Sequence, residues 1–152
     1  MVREGRPAPA FTLPSSAGGE QTLAALRGKR VVLYFYPRDN TPGCTREACA
    51  FRDALAKKTG AVVLGVSPDS LSSHGTFRRQ HRLNFPLLSD PDKKAAKAYG
   101  AYGEKVMYGK KVKGIIRSTF IIDAAGIVRK VFPRVKVDGH AEEVLEALRA
   151  LG

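Results

Sequence analysis

The chain contains Val31-Val-Leu-Tyr-Phe-Tyr36 followed directly by Pro37-Arg-Asp-Asn-Thr-Pro-Gly43. The first is apolar or aromatic throughout, which is typical of a strand covered on both faces of a sheet. The second has two prolines, an asparagine and a glycine among its seven residues, which predicts a loop. A stretch rich in Ala, Glu, Arg and Leu then runs from Pro42 to Lys58 and predicts a helix. Thr41 is its expected N-cap and Pro42 its first residue.

The rest of the chain repeats this alternation of strands and helices. Residues 1–30 are expected to form loops and short strands near Phe11–Leu13 and Thr22–Leu23, and later strands are expected at 61–67, 85–88, 117–123 and 127–132, the last two as a hairpin. Helices are expected from a cap at Asp69 or Ser70 to Arg82, from a cap at Asp90 with Pro91 as first residue to Tyr99, and from His140 to Leu151. This order predicts an α/β protein with a central mixed β-sheet flanked by helices on both faces. A thioredoxin-like fold has this layout, although periodicity alone does not distinguish it from other small α/β folds.

Length and composition restrict the class of protein. A chain of 152 residues predicts a single domain, 1–152, and 43% hydrophobic with 26% charged residues excludes a disordered tail or a fibre. No apolar run approaches the ~18–20 residues of a membrane-spanning helix. The segment Met1–Pro7 has no apolar signal core, so we expect a cytoplasmic location. The formal net charge of +12 makes nucleic acid or another polyanion a partner to consider.

Cys44 has the surroundings of a nucleophile. It lies on the first turn of the predicted helix, where unpaired backbone N–H groups and the positive end of the helix dipole favour a thiolate. Arg38 and Arg46 add positive charge nearby in sequence. The thiolate is the reactive form of cysteine. The alternative is that Cys44 and Cys49 are small buried hydrophobic residues, which is a common role for free cysteine.

Cys49 follows five residues after Cys44, and this spacing predicts a redox switch. On an intact helix the two Cα atoms are roughly 8–9 Å apart and the side chains diverge by about 140°, whereas a disulfide tolerates only about 7 Å. We therefore expect a helix in the reduced protein and a locally unwound segment after oxidation. Zinc is disfavoured, because two cysteines need two further ligands and His74, His81 and His140 do not cluster near them in sequence.

The segment Tyr34–Asp53 resembles the active-site signature of the peroxiredoxins, and in detail that of their PrxQ branch, also called bacterioferritin comigratory proteins. The family pattern Pro-x-x-x-Thr-x-x-Cys is met by Pro37, Thr41 and Cys44, and the resolving cysteine of many PrxQ members is met by Cys49. The resemblance covers nearly the whole chain, with further similar segments at 65–69, 85–90, 108–111, 114–123 and 137–140.

The resemblance implies a thioredoxin-like fold and a thiol-dependent peroxidase for hydrogen peroxide and organic hydroperoxides. It implies that Cys44 attacks the peroxide and becomes a sulfenic acid, and that Cys49 then forms an intramolecular disulfide with it. Arg117, just before the Ser-Thr-Phe strand, is expected to keep Cys44 ionised and to hold the peroxide. Thr41 is expected to offer its hydroxyl to the peroxide, and Pro37 to shield the thiolate from water. Thioredoxin or a related dithiol is the implied reductant, no cofactor or metal is required, and a monomer is favoured.

Other interpretations are weaker. A thiol–disulfide oxidoreductase normally has Cys-x-x-Cys, whereas four residues separate the cysteines here. A nucleic-acid-binding module is suggested by the charge and by the basic runs Arg78–Arg82 and Lys110–Lys113. These runs are short and lack interleaved aromatic residues, so a solvated basic surface is favoured. The segment Gly103–Lys110 has neither the spacing nor the Ser or Thr of a phosphate loop. His140, at a helix start, is interpreted as structural.

Overall fold

The computed structural model describes residues 2–55 and 59–151. The strands are β1 (Thr12–Pro14), β2 (Glu20–Thr22), β3 (Val31–Phe35), β4 (Val62–Ser67), β5 (Leu87–Ser89), β6 (Tyr102–Met107), β7 (Lys110–Ile115), β8 (Ser118–Ile122) and β9 (Val128–Phe132). The helices are α1 (Pro42–Ala54), α2 (Leu71–Gln80), α3 (Lys94–Ala98) and α4 (His140–Ala150), and a short 3₁₀ helix covers Ala24–Leu26. Five strands form the central sheet in the order β5–β4–β3–β8–β9, while β1–β2 and β6–β7 form two separate pairs. No helix in the described ranges has the length and apolar character needed to cross a bilayer.

The central sheet is mixed and separates two cores. β3 pairs in parallel with β4, and β4 with β5, whereas β8 and β9 run antiparallel to their neighbours. All residues of the central strand β3 are buried. Its alternate side chains enter opposite cores: Val32 and Tyr34 face α1, α2 and α4, whereas Leu33 and Phe35 face α3 and the N-terminal strands. The expected α/β fold, with helices on both faces of a mixed sheet, is confirmed.

The topology brings the start of α1 and the start of β8 to the same edge of the sheet. The parallel strands β3 and β4 each lead at their carboxyl end into a helix, so α1 and α2 begin at one edge. β8 is antiparallel to β3 and begins at Ser118, the register partner of Phe35. Arg117 directly precedes β8 and therefore lies beside the beginning of α1.

A close approach of Tyr34 to the neighbouring strand helps to position α1. Gly65 is the register partner of Tyr34, and a Cβ at Gly65 would lie 2.8 Å from the Tyr34 hydroxyl. Tyr34 in turn contacts Phe51 of α1 edge-on, with ring centroids 4.7 Å apart. A side chain at Gly65 would therefore displace the ring on which α1 rests.

Most predicted elements are present, with ends shifted by a few residues. α1 begins at Pro42 after Thr41, as expected, and its predicted end at Lys58 lies outside the described residues. α2 begins after Ser70, whose side chain accepts a hydrogen bond from the Ser73 N–H, and it ends at Gln80 rather than at Arg82.

The prediction that a helix begins at Pro91 is wrong. α3 begins only at Lys94, because Lys93 has a φ of 59° and interrupts the helical path. The Asp90 carboxylate still accepts hydrogen bonds from the N–H groups of Ala95 and Ala96. Asp90 thus accepts hydrogen bonds from N–H groups in the first turn of this helix, although it lies further back in the chain than a normal N-cap.

The β6–β7 hairpin was not predicted from the sequence. Its turn consists of Tyr108 and Gly109, with φ values of 53° and 77°. Two positive φ angles are typical of a type I′ turn, which usually has Asn-Gly or Asp-Gly. Gly109 was the available signal, but tyrosine in the preceding position and the many lysines concealed it.

Candidate active site

Cys44 lies in the first turn of α1, and only 1% of its surface is exposed. Thr41 occupies the N-cap position and Pro42 the first helical position. Pro42 has no N–H group, so the backbone donors at this end of the helix belong to Gly43 and Cys44. Cys44 therefore lies at the positive end of the helix dipole, as expected from the sequence.

Arg117 brings a guanidinium group to Cys44. Its Nη2 donates to the Cys44 Sγ at 3.2 Å, and its Nη1 donates to Glu47 Oε1 at 2.6 Å. Its own carbonyl accepts from the Val135 N–H at 2.8 Å, which fixes the backbone from which the side chain extends. The two arms of the planar group thus hold two groups of α1 at once, which a lysine ammonium does not do in the same geometry.

Glu47 lies one turn after Cys44, and its side chain is 1% exposed. Oε1 pairs with Arg117, whereas Oε2 has no hydrogen-bond partner among the described residues. Burial raises the pKa of Glu47 to about 7, against the opposing effect of Arg117. The carboxyl group therefore changes protonation near neutral pH. Glu47 was not singled out by the sequence analysis, because nothing in its local sequence shows that a tertiary contact buries it.

The ionisable groups around Cys44 stabilise the charged form of Arg117 beside the sulfur. Burial lowers the pKa of Arg117, but the charges of Glu47 and Cys44 outweigh burial and raise it overall. Tyr34 lies beneath the site, and burial together with the nearby Glu47 raises its pKa well above 10. The Tyr34 hydroxyl thus stays protonated and neutral, while the Arg117 guanidinium stays charged.

The other predicted site residues take different positions. The Thr41 hydroxyl donates to the Arg38 carbonyl at 3.0 Å, and among the described residues its oxygen accepts no hydrogen bond from an N–H group of α1. Pro37 is half-buried at the start of the same loop. Arg38 and Arg46, which the sequence analysis placed near the thiolate, are exposed. The cation that contacts Cys44 comes instead from Arg117, far along the chain.

Cys49 is half-buried and carries a free thiol, as does Cys44. Both lie on the continuous helix α1. Five helical residues separate their Cα atoms by roughly 8–9 Å, beyond the reach of a disulfide. This is the reduced, helical state that the spacing predicts, and the unwinding after oxidation stays a prediction.

The loop before Cys44 is anchored by a buried cluster of Tyr36, Asp39, Ser73 and His74, here called the anchor cluster. The Asp39 carboxylate accepts from the Tyr36 hydroxyl at 2.6 Å and from the Ser73 hydroxyl at 2.7 Å, and it lies 2.7 Å from His74 Nδ1. His74 Nε2 lies 3.0 Å from the Leu88 carbonyl, which only accepts, so Nε2 carries a proton. Although burial alone raises the pKa of Asp39, its bonds to His74 and Tyr36 outweigh burial and lower it. One proton therefore lies on the 2.7 Å contact between His74 Nδ1 and Asp39 Oδ2 and joins the two side chains by a buried hydrogen bond.

Asp69 extends the anchor cluster but does not turn it into a vacant metal site. Ligand atoms of Asp39, Asp69 and His74 lie within 4.8 Å of one another. Asp69 Oδ2, however, accepts from the Asp39 N–H and from the Ser67 hydroxyl, both at 2.7 Å. Because these atoms are already satisfied by protein groups, the cluster fixes the loop rather than offering free ligands.

His140 links the last helix to the sheet. Its Nε2 lies 2.8 Å from the Thr119 hydroxyl, and its Nδ1 lies 2.9 Å from Glu143 Oε1. Its ring also contacts Phe51 and Phe132. These contacts hold α4 against α1 and β8.

A mixed sheet that presents a buried cysteine at a helix amino end, with a guanidinium on its sulfur, defines a thiol-dependent redox enzyme of the thioredoxin-like class. The AhpC/TSA family profile matches residues 5–131. The chain belongs to this family of peroxiredoxins and is a thiol-dependent peroxidase, which reduces peroxides with electrons from a thiol.

Individual relatives are similar in sequence to this chain over nearly its whole length. The chain is 50% identical over 149 residues to a putative peroxiredoxin bcp of Coxiella burnetii, which covers 97% of this chain and 99% of that protein. It is 45% identical over 150 residues to peroxiredoxin Bcp of Bacillus subtilis, covering 97% and 96% of the two chains.

Solved structures of the PrxQ branch have the same fold. A cysteine-to-serine variant of Xylella fastidiosa PrxQ matches with a TM-score of 0.91 at 39% identity, covering 99% of this chain and 98% of that one. The Xanthomonas campestris bacterioferritin comigratory protein, studied for alkyl peroxide reduction, matches with a TM-score of 0.89 at 43% identity, covering 98% and 99%. The expected thioredoxin-like fold and the resemblance to PrxQ are confirmed.

Proposed function

We propose that Cys44 is the peroxide-reactive cysteine of this peroxidase, that Cys49 resolves its oxidised form, and that Arg117 stabilises the reacting oxygens. The supporting observation is the 3.2 Å contact from Arg117 Nη2 to Cys44 Sγ, at a sulfur that is 1% exposed. In such a dry site a fixed guanidinium stabilises the thiolate far more than it would in water. Its remaining donors can also bind a peroxide oxygen.

The first step is a nucleophilic substitution at oxygen. The Cys44 thiolate attacks one oxygen of ROOH, the S–O bond forms, and the O–O bond breaks. The departing oxygen leaves as water or an alcohol after taking a proton, and Cys44 becomes a sulfenic acid. Arg117 and the N–H groups of Gly43 and Cys44 stabilise the negative charge on the leaving oxygen. We assign the Thr41 hydroxyl to the bound peroxide, and Pro37 to exclusion of water from the thiolate.

The second step requires α1 to open. The Cys49 sulfur attacks Cys44, the S–S bond forms, and the oxygen of the sulfenic acid leaves as water. The two cysteines cannot meet across an intact helix, so the turns between them must unwind. Phe51, packed between Tyr34 and His140, holds the later part of α1 against the sheet. Unwinding is therefore expected in the first turns only.

A dithiol then returns the enzyme to its starting state by thiol–disulfide exchange, and we propose thioredoxin or a related protein for this step. Because both cysteines lie in one helix, the cycle needs only one subunit, and we propose a monomer formed by one domain. The disulfide must be reduced in every turnover, which suits the reducing cytoplasm. Hydrogen peroxide and organic hydroperoxides both supply the O–O bond that this chemistry requires.

Peroxide consumption by the wild type, Cys44→Ser and Cys49→Ser tests these assignments. With dithiothreitol as reductant, turnover should vanish in Cys44→Ser. Under single-turnover conditions, Cys49→Ser should still reduce one equivalent of peroxide rapidly and accumulate a sulfenic acid, detected by dimedone labelling and mass spectrometry. Activity that survives Cys44→Ser would overturn the assignment of the nucleophile. A Cys49→Ser variant that accumulates no sulfenic acid would overturn the assignment of the resolving residue.

Amide hydrogen exchange tests the opening of α1. Oxidation of the wild type by one equivalent of peroxide should accelerate exchange across residues 42–50 and leave α4 unchanged. The same treatment of Cys49→Ser is the control, because its helix cannot be trapped open by a disulfide. Equal exchange in the reduced and oxidised wild type would contradict the proposed unwinding.

A further inference from the structure

The β6–β7 hairpin carries an exposed apolar and basic surface that the peroxide chemistry does not use. Of the five large hydrophobic side chains that are exposed within residues 2–55 and 59–151, four lie here: Val106 (72%), Met107 (47%), Tyr108 (97%) and Val112 (36%). Four lysines flank them, namely Lys105, Lys110, Lys111 and Lys113, and the two strands contain one acidic residue, Glu104. The strand register places them on both faces of the hairpin, and we call these nine residues together the hairpin surface.

The hairpin stands apart from the central sheet as a two-stranded arm. Its register pairs Tyr102 with Ile115 at the base and Met107 with Lys110 at the tip. Five residue steps at about 3.4 Å place the tip roughly 17 Å from the base. The side chains near the tip are not packed into either core, and Tyr108 is 97% exposed.

The base of the same hairpin adjoins the reactive sulfur. β7 ends at Ile115, two residues before Arg117. Lys105 Nζ donates to the Ile115 carbonyl at 2.8 Å, and the Lys105 chain crosses Gly114 so closely that a Cβ there would lie 3.2 Å from its Cε. Burial lowers the pKa of Lys105, and the charges of Arg117 and Cys44 also act on it. A molecule that binds along the hairpin is thereby brought to Cys44.

The composition of the hairpin surface selects among possible partners. A polyanion such as nucleic acid is attracted by lysines alone and leaves exposed aliphatic side chains without a function. A protein interface uses aromatic and apolar residues at its centre and charges for orientation and encounter. The proposed cycle requires one protein to reach the active site in every turnover, namely the reductant of the disulfide.

We propose that the β6–β7 hairpin is the docking element for the protein dithiol that reduces the Cys44–Cys49 disulfide, and that this partner presents carboxylates and apolar side chains around its own redox cysteines. The proposal rests on the function proposed above. A partner thiolate attacks one sulfur of the disulfide and forms a mixed disulfide, and the second partner thiol then releases the enzyme. The disulfide ends on the partner, and Cys44 and Cys49 each gain one electron and one proton.

Stopped-flow reduction of the oxidised enzyme tests this docking. The wild type, Lys110→Glu/Lys111→Glu and Val106→Ser/Tyr108→Ser are oxidised with one equivalent of hydrogen peroxide and then mixed with reduced thioredoxin or with dithiothreitol. We expect each hairpin variant to slow reduction by thioredoxin about tenfold or more. Reduction by dithiothreitol should stay unchanged, because a small dithiol needs no docking surface. The charge variant should also lose the salt dependence of the thioredoxin reaction.

A matched charge control separates docking from net charge. Arg79 and Arg82 are exposed at the far end of α2. That end lies away from Cys44, because the end of α1 reaches it through the bond from Arg52 Nη1 to the His81 carbonyl at 2.5 Å. Arg79→Glu/Arg82→Glu makes the same change in charge and should keep at least half of the wild-type rate with thioredoxin.

Several results would overturn the docking proposal while leaving the peroxidase assignment intact. They are an equal loss of rate in the control pair, an unchanged rate in both hairpin variants, or a wild-type enzyme reduced no faster by thioredoxin than by equimolar dithiothreitol. Binding of the wild type to random duplex DNA or to phosphatidylglycerol–phosphatidylcholine vesicles near physiological salt, lost in the hairpin variants while thioredoxin rates stay unchanged, would assign the surface to a polyanion instead. Failure of the wild type to react with peroxide would refute the proposed function itself, and is seen before any dithiol is added.

Discussion

The loop before Cys44 and the helix after it are stabilised in opposite ways. In the loop, the Asp39 carboxylate accepts hydrogen bonds from Tyr36 and Ser73 and lies within hydrogen-bond distance of buried His74. In the helix, the equally buried carboxyl of Glu47 has one oxygen on Arg117 and one without a partner among the described residues. A satisfied polar cluster gives rigidity, whereas a half-satisfied buried carboxyl makes the folded state easier to leave.

This difference matches what the proposed cycle demands of the two segments. The loop must keep Pro37 and Thr41 in place for the next peroxide, so it benefits from a network that does not open. The first turns of α1 must release Cys49 in every turnover, so they benefit from weak stabilisation. The loop thus keeps the residues around the peroxide in place, and the first turns of α1 supply the movement that brings Cys49 to Cys44.

Removal of the central acceptor of the loop should have the largest effect on stability. Asp39→Ala leaves Tyr36, Ser73 and His74 without their shared hydrogen-bond partner and should lower the free energy of unfolding by about 3–5 kcal/mol. Urea unfolding at pH 7 measures this change. Asp92→Ala, at an exposed aspartate, is the control and should change stability by less than about 0.5 kcal/mol. A similar small effect for Asp39→Ala would show that the anchor cluster does not hold the loop.

Arg117→Lys tests the guanidinium group that contacts both Cys44 and Glu47. The ammonium keeps the charge but loses the planar pair of donors, and the single-turnover rate with peroxide should fall by about a hundred- to a thousandfold. The control Arg129→Lys alters a half-exposed arginine of β9 that pairs with Asp123, and it should leave the rate unchanged. Retention of the wild-type rate in Arg117→Lys would mean that charge alone suffices.

Glu47 should make the opening of α1 depend on pH. Its folded pKa of about 7 exceeds the ordinary value of 4.5 because burial disfavours the charged form. The folded helix therefore holds the proton more tightly than the unwound helix does. Its stabilisation is complete below about pH 4.5 and is lost as pH rises through about 7. The free energy of opening should fall by up to about 3 kcal/mol across this range.

Protection factors of the α1 amides between pH 5 and 8 measure this dependence. Glu47→Gln cannot ionise and should remove the slope, whereas Glu146→Gln, at an exposed position of α4, should keep it. The same slope in the wild type and in Glu47→Gln would assign the pH dependence to another group. The charge of Arg117 acts on Glu47, and the charge of Glu47 acts on Arg117 and Tyr34.

The smallest effect is expected at the edge of the anchor cluster. Ser73→Ala removes one of the hydrogen bonds that Asp39 accepts and leaves its hydrogen bond with His74 in place. It should lower stability by about 1 kcal/mol in urea unfolding. Ser72→Ala, exposed on the same helix, should have almost no effect. A loss as large as that in Asp39→Ala would mean that the cluster acts as one unit rather than as separate bonds.

The elements that could be predicted are those whose signals are local. Residues 31–36 are apolar without interruption and were recognised as a buried strand, and the Thr41–Pro42 pair marked the start of α1. The start of α3 was misjudged, because the left-handed conformation of Lys93 is set by the turn around Asp90 rather than by Pro91. The β6–β7 hairpin was missed because its turn has tyrosine where asparagine is usual.

Local sequence alone indicates which residues are available for the chemistry: a cysteine in the first turn of a helix, a second one five residues later, and an arginine before a strand. Helix geometry alone also determined that the two sulfurs cannot meet while the helix is intact. The tertiary structure decided which cation contacts Cys44, since the nearby Arg38 and Arg46 face solvent and Arg117 arrives through the antiparallel pairing of β8 with β3. It also decided the burial of Glu47 and the buried hydrogen bond of Asp39 with His74, because desolvation depends on which elements pack together and leaves no local mark in the chain.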